Sequence, residues 1–347
     1  MRGFALALLL LSSACAPGGA IARGTPDSFA PLVKQVLPTV VNIAVTEAVS
    51  GRTVLSELPP ELRDTPLGRE FRRRFGNRTE RMLGAGSGFI IDPSGIIVTN
   101  NHVVGRAEQI TVQMTDGRRF PATVIGHDDL TDIAVIKLTG ASGLPAVTWG
   151  DSSSVEVGDW ILAAGNPFGL GGSVTAGIVS ARGRDLGSGP FDNFLQLDAP
   201  INPGNSGGPI FNMNGQVVGV SSVIVSPTGA SVGIGFAIPS SAVRSIVNQL
   251  LSRGTIERGW LGVSVEERDN GVLIASIERS GPAGRAGVRT GDVVVAINGE
   301  RIDSARGLIR AIAGVTPGNT ARVTVRRQGR DIEIPVTVGR RPAEQAG

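Results

Sequence analysis

The feature that most limits what this chain can fold into is the recurrence of short valine- and isoleucine-rich runs, each closed by glycine or a turn sequence. Gly88–Ile91, Ile96–Thr99, Gln109–Met114, Phe120–Ile125 and Ile133–Leu138 follow one another closely, with Asp92-Pro93-Ser94-Gly95 and Asp116-Gly117 as the turns of two hairpins. A second set comprises Trp160–Ala164, Ser173–Ser180, Phe194–Leu197, Val217–Val225 and Gly233–Ala237. With the earlier run Val40–Thr46, two groups of about six strands each, separated near Ser142–Ser154, predict a mainly β fold of two six-stranded barrels packed side by side. An amphipathic helix over Ser28–Val40 precedes them, and one over Ser240–Leu251, with Val243, Ile246, Val247 and Leu250 on one face, closes this part. Between Glu47 and Met82 the periodicity disappears, and the stretch reads as a long mobile surface loop. Arg253–Arg258 reads as a polar linker to a smaller mixed β domain, with strands at Leu261–Val265, Val272–Ser276, Val293–Ile297, Ala321–Arg326 and Ile332–Val338 and helices near Pro282–Ala286 and Ser304–Ala313.

The length of 347 residues fits two or three domains, and 41% hydrophobic against 18% charged residues excludes a disordered chain. Net charge is +3, and the densest basic run, Arg69–Arg81, also holds Glu70 and Glu80, so no stripe tracks a phosphate backbone and nucleic acid is not an expected partner. Residues 1–22 have the basic head, apolar middle and small-residue end of a cleavable signal peptide, with Ala20-Ile21-Ala22 before the cut. The single cysteine, Cys15, lies in that segment, so the mature chain would hold no disulfide. Leu11-Ser12-Ser13-Ala14-Cys15 leaves a lipoprotein form open, and retention of the segment as a membrane anchor is the other alternative. Two histidines and one early cysteine give no metal-ligand cluster, and no cofactor motif is present.

Candidate chemistry centres on Gly204-Asn205-Ser206-Gly207-Gly208-Pro209. Glycines on both sides of a serine permit a tight turn that displays the hydroxyl, and the backbone of Gly204, Asn205 and Ser206 forms a nest in which N–H groups, those of Gly204 and Ser206 foremost, would hold an oxyanion. A nucleophile needs a base. His102, in Thr99-Asn100-Asn101-His102 just past a strand, is the candidate, whereas His127 and the adjacent Asp128 and Asp129 read as a solvated turn. Asp132 enters a strand with no turn residue after it, where a carboxylate needs a partner, and it supplies the acid. The first two fall in the first barrel and Ser206 in the second, which places the site in the cleft between them.

With Gly86-Ser87-Gly88-Phe89-Ile90-Ile91, Leu130-Thr131-Asp132-Ile133-Ala134-Val135, Gly165-Asn166-Pro167-Phe168-Gly169, Gln196 through Pro209 and Gly235-Phe236-Ala237-Ile238-Pro239 added to these, the chain closely resembles the HtrA (Deg) family of serine proteases from about Ser28 to Val338. The resemblance implies a chymotrypsin-like double barrel over 28–252 with the triad His102, Asp132 and Ser206, and one PDZ domain over 257–340. It implies a substrate pocket beside Val220, Ser221, Ser222, Val223 and Ile224, with small aliphatic residues favoured before the cut. It also implies a carboxylate-binding loop at Gly259, Trp260, Leu261 and Gly262, where an exposed C-terminal peptide would add as a strand. Arg184 matches the position that senses PDZ occupancy in the family, and Phe29 fits an N-terminal contact in a homotrimer or a multiple of it.

The implied function is ATP-independent endopeptidase work in the periplasm on unfolded or misfolded polypeptides, as quality control and stress response. One PDZ domain also suits a regulatory protease with a single stress-signalling membrane substrate, and a peptide-binding chaperone or scaffold is the reading from outside catalysis. A complete triad argues against that last reading, because binding alone needs none of its members together.

Overall fold

The computed structural model describes residues 27–341 except 51–64, 66–78, 170, 203, 227–230 and 269–270, so the expected signal segment and Cys15 lie outside it. Pro31 sits in the first turn of helix α1 (Ala30–Val36), which runs through one 3₁₀ turn into β1 (Val40–Ser50). Strand β2 (Thr79–Asp92) pairs antiparallel with β1 from Val40↔Phe89 to Ser50↔Thr79. The expected loop over 47–82 is therefore shorter at both ends, because its first and last residues extend a hairpin; most of its middle, Phe71 and Phe75 included, lies outside the described residues.

β3 (Ile96–Thr99), the single-turn helix α2 (Asn101–Val104), β4 (Gln109–Met114), β5 (Arg119–Asp128) and β6 (Ile133–Leu138) complete a closed barrel in the order β1-β2-β3-β6-β5-β4. Closure removes every sheet edge. Alternate residues of its strands, among them Val41, Ile43, Ile97, Val112 and Ile136, fill the interior.

β7 (Thr148–Trp149), β8 (Trp160–Gly165), β9 (Ser173–Arg184), β10 (Phe194–Leu197), β11 (Pro209–Asn212), β12 (Gln216–Ile224) and β13 (Gly235–Pro239) form a second sheet, and pairing of β11 with β12 closes six of these strands into the second barrel. β11 was not expected from the sequence: it is four residues long, leaves the glycine turn directly and is nearly all buried, so it shows no alternation. Its interior holds Ile161, Leu197, Ile210 and Val218. The opposite faces of both barrels meet in a third cluster containing Phe89, Ile133, Val135, Leu162, Phe211 and Val220. Helix α3 (Ser240–Arg253) seals it with Val243, Ile246, Val247 and Leu250, the face that its sequence periodicity predicts, and Gly254 ends it in the left-handed conformation.

The C-terminal domain has β14 (Gly259–Trp260), β15 (Val263–Arg268), β16 (Gly271–Ile277), α4 (Pro282–Ala286), β17 (Val293–Ile297), β18 (Glu300–Arg301), α5 (Ala305–Ala313), β19 (Thr320–Arg327), β20 (Arg330–Thr337) and β21 (Gly339–Arg340). Its main sheet runs β15-β16-β17-β19-β20, and β14 pairs with β21, joining the entry of the domain to its exit. Ser304 caps α5 by accepting the Gly307 N–H at 3.1 Å, and Leu308 and Ile312 of that helix are buried.

The segment read as a linker is tied down. Arg258 donates both guanidinium arms to the Asp128 carboxylate at the end of β5, and its guanidinium lies 4.5 Å from the Phe191 ring centroid. Asp128 also accepts from Thr131 Oγ1, and its 6% exposure overturns the expectation that it is solvated. Its partner comes from a domain 130 residues away in sequence, which local turn chemistry does not reveal.

Candidate active site

Thr99 ends β3, and the one turn of α2 that follows lifts His102 to the rim of the cleft, exposed to solvent. The turn is held by Asp132, whose main-chain carbonyl accepts from Asn101 N–H at 3.1 Å and from Asn100 Nδ2 at 2.8 Å. Asp132 has φ +56°, a conformation that costs a non-glycine residue about 1–3 kcal/mol. Its carboxylate then faces the histidine. Oδ1 accepts the His102 backbone N–H at 2.9 Å, and Nδ1 of the ring lies 3.0 Å from Oδ1 and 2.8 Å from Oδ2. With Nδ1 serving as donor to the carboxylate, Nε2 is the acceptor on the cleft side. Oδ2 accepts a further hydrogen bond from Ser222 Oγ at 3.0 Å.

Ser222 is thus more than the pocket residue that the sequence suggests: it crosses from the second barrel to hold the acid of the first. A serine in an apolar, otherwise buried strand was the only sequence signal for this, since such a hydroxyl needs a partner. Neighbouring Val220 and Ser221 are buried, Ile224 is half-buried and Val223 is exposed on the cleft wall. His127 lies on β5 opposite Ala134, not in a turn, and its Nδ1 is 3.2 Å from Asp129 Oδ1, which also accepts from Asn101 Nδ2; among the described residues no hydrogen bond joins His127 to His102, Asp132 or Ser206.

Ser206 stands on the turn that the glycines allow. Gly204 has φ +96° and Gly207 φ +82°, and a Cβ on Gly207 would lie 2.3 Å from the Ser87 carbonyl oxygen and 2.4 Å from Thr99 Oγ1. Gly207 N–H donates to Ser221 O at 2.8 Å and Ser221 N–H to Gly208 O at 2.9 Å, which clamps the turn to β12. The Asn205 N–H is taken by Asn202 O at 3.0 Å, so it is not available as the sequence reading had it. Among the described residues the N–H groups of Gly204 and Ser206 have no acceptor. Ser206 Oγ donates to Ser222 O over 3.4 Å, and among the described residues no hydrogen bond joins it to His102. A cleft of about 1110 Å³ lined by His102, Asp132, Ser222 and Val223 runs past α3 toward α5.

A smaller groove of about 200 Å³ lies between β15 and α5, lined by Trp260, Leu261, Val263, Val265, Ile309 and Ile312, and Gly259 and Gly262 border it. β15 is an edge strand of its sheet, so its outer hydrogen-bonding groups face this groove. Phe191, from the second barrel, stands at its mouth. Arg184 ends β9 and donates from Nε to Gln196 Oε1 at 2.8 Å; the ion pair to the C-terminal domain is made by its neighbour Asp185, with Arg306 of α5.

Comparison with known proteins agrees with this architecture. Residues 86–220 match the trypsin-like peptidase domain and residues 259–338 the PDZ domain. A probable periplasmic serine endoprotease, DegP-like, of Brucella suis is 42% identical over 356 residues, covering 91% of this chain and 69% of that protein. The chain belongs to the HtrA family. A DegP-like relative from Halomonas elongata is 40% identical and spans all of this chain and 77% of its own. Among solved HtrA structures, the HtrA-type protease AlgW with decapeptide superposes with a TM-score of 0.77 at 36% identity, covering 91% of this chain and 99% of that one. The serine endoprotease from Yersinia pestis gives 0.71 at 33% identity, covering 92% and 100%. As an HtrA protein this chain is a serine endopeptidase with one PDZ domain, and it binds polypeptide. Among its described residues no helix is long and apolar enough to cross a membrane.

Proposed function

We propose that the protein is an ATP-independent endopeptidase of the periplasm that degrades unfolded or misfolded polypeptides, with His102, Asp132 and Ser206 as its catalytic triad. The observation that carries this is the carboxylate of Asp132, which receives His102 from one barrel and Ser222 from the other at the cleft that all three line, while Ser206 Oγ donates to the Ser222 carbonyl. His102 takes the Ser206 proton as the hydroxyl attacks the scissile carbonyl, and later returns it to the leaving amine. Asp132 fixes the imidazole tautomer and stabilises the imidazolium. The free N–H groups of Gly204 and Ser206 receive the oxyanion; losing one such donor typically costs about 10²- to 10³-fold in rate. The hydroxyl must first leave Ser222 O and turn toward Nε2 of His102.

Exposed C-termini bind as an added strand along β15, with the carboxylate at Trp260–Gly262. Val220–Ile224 form the wall of a pocket for small aliphatic side chains. A regulated protease with one main signalling substrate is the second reading. It is favoured by the Asp185–Arg306 pair, which joins the loop after Arg184 directly to the helix of the peptide groove. Export by residues 1–22 and assembly into homotrimers complete the proposal; Phe29, whose ring lies 5.7 Å from that of Trp160, anchors the N-terminal helix for that contact.

The test is cleavage of an unfolded, casein-like protein by the purified chain beside Ser206→Ala, each with and without a peptide ending in a free hydrophobic C-terminus. Cleavage abolished by Ser206→Ala is expected, with stimulation by the peptide. A chain that leaves the substrate intact under both conditions yet suppresses its aggregation would favour the chaperone reading.

A further inference from the structure

Ser87, in β2, is fully buried at the seam of the two barrels, and all of its polar atoms are engaged at or beside the nucleophile turn. Its N–H donates to Ser206 O at 2.9 Å. Its carbonyl accepts from Thr99 Oγ1 at 2.7 Å. Its hydroxyl donates to Gly204 O at 2.6 Å and accepts the N–H of Asn166 at 2.8 Å. Asn166 is itself held from the first barrel, where Asn42 Nδ2 donates to its carbonyl at 2.9 Å. A chain of hydrogen bonds therefore runs from β1, through the loop after β8, to the peptide plane between Gly204 and Asn205.

That plane is the part of the turn least able to hold itself. Gly204 has φ +96° and no Cβ, so its carbonyl is free to rotate unless something binds it. With the Gly204 carbonyl drawn inward by Ser87 Oγ, the Asn205 N–H is directed to Asn202 O, and the amides on either side, Gly204 N–H and Ser206 N–H, are left without acceptors. Rotation of the same plane would release the Asn205 N–H and displace both of its neighbours. We propose that Ser87 is a positioning residue for the oxyanion-binding amides: its hydroxyl locks the Gly204–Asn205 peptide plane and ties its orientation to the first barrel through Asn166 and Asn42. This rests on the protease reading above, and it assigns to Ser87 no contact with substrate.

The experiment compares wild type, Ser87→Ala and Ser87→Cys in hydrolysis of a short chromogenic peptide with valine before the scissile bond. Inhibition by a peptide boronic acid and by a product-like peptide that ends in an alcohol, and so presents no carbonyl oxygen to the oxyanion amides, is measured alongside the thermal midpoint of each protein. The boronic acid adds Ser206 Oγ to become tetrahedral and requires the oxyanion amides, whereas the product-like peptide occupies the cleft without that adduct. Ser87→Ala is expected to lower kcat about 10- to 100-fold with KM within about twofold, and to weaken the boronic acid in parallel while the product-like peptide binds as before. Ser87→Cys, close in size with a weak S–H donor, is expected to fall between the two, and it decides the matter should the alanine form not fold.

The inference is overturned if the folded variant keeps its kcat and boronic-acid affinity. It is equally overturned if kcat, KM and both inhibitors worsen together, which is the mark of general loosening. Absence of cleavage by wild type would instead remove the protease reading, and this inference with it.

Discussion

Asp132 shows how a single residue can be held in a costly conformation by what surrounds it. Its positive φ is opposed by hydrogen bonds to its own carbonyl from Asn100 and Asn101 and to its carboxylate from His102 and Ser222. Ser222→Ala removes the one bond that comes from the second barrel. Bonds to charged groups contribute about 1.5–3 kcal/mol, and partial retention of the His102 contact sets the lower end, so kcat/KM toward a peptide substrate is expected to fall about tenfold, and the same lost bond lowers the thermal midpoint by a few degrees. Gly207→Ala acts differently. Its Cβ would meet the Ser87 carbonyl at 2.3 Å in a backbone conformation that alanine resists, so the turn must shift. The expected result is a stability loss of about 1–3 kcal/mol or more in denaturant titration, together with loss of activity. The Gly-rich turn, His102 and Asp132 were legible in the sequence because each demands a residue type: no Cβ at a close approach, an imidazole as base, a carboxylate that needs a partner. Ser222 and Ser87 were not, because a serine on a strand carries no information about which distant atom its hydroxyl meets.

Among the elements, apolar runs of four to six residues bounded on both sides by polar or turn residues were the easiest to place. β6, β10 and β17 have the bounds that the sequence predicts. The outer ends of β1 and β2 escaped because pairing with a neighbour extends a strand past the point where its own pattern stops, and β11 because four residues straight out of the glycine turn carry too little pattern to read. The strand pair β17–β19 carries a further dependence on pH. Asp292, 1% exposed, accepts from Arg327 Nε at 2.7 Å, Arg327 Nη2 at 2.8 Å and the Arg289 N–H at 2.8 Å. Burial pushes its carboxyl up, but the bonds from Arg327 and Arg289 outweigh that and hold it below the ordinary carboxylate value. A folded value below the unfolded one means that the stabilisation is complete above the unfolded pKa of about 3.9 and is lost as pH falls through the folded value. The C-terminal domain is accordingly expected to keep its unfolding midpoint between about pH 5 and 7 and to lose stability below about pH 4. Asp292→Asn should be less stable at pH 7 and flatter over the acid range, as followed by calorimetry on the whole protein.

At the scale of the whole molecule, the two domains meet through Arg258, Asp128 and Phe191, with Asp185 and Arg306 nearby. Arg258 and Asp128 are 11% and 6% exposed at their side chains, so truncating one leaves the other charge buried and alone. Arg258→Ala is expected to cost about 3–5 kcal/mol and to speed protease nicking near residues 253–258; an unchanged cleavage pattern and thermal midpoint would refute the view that this pair joins the domains. The sequence by itself determined the two-barrel class, the smaller third unit, the residue types proposed for the triad and the family, because hydrophobic period, glycine placement and motif order are properties of neighbouring residues. Only the tertiary structure decided that Asp128 is buried, that the segment before Gly259 is fixed, that Asp185 and not Arg184 reaches α5, and that Ser222 bonds to Asp132 and Ser87 to the Gly204 carbonyl. Each of those depends on a partner far away in the chain, and the free energy of such a contact exists only once folding has brought the two together.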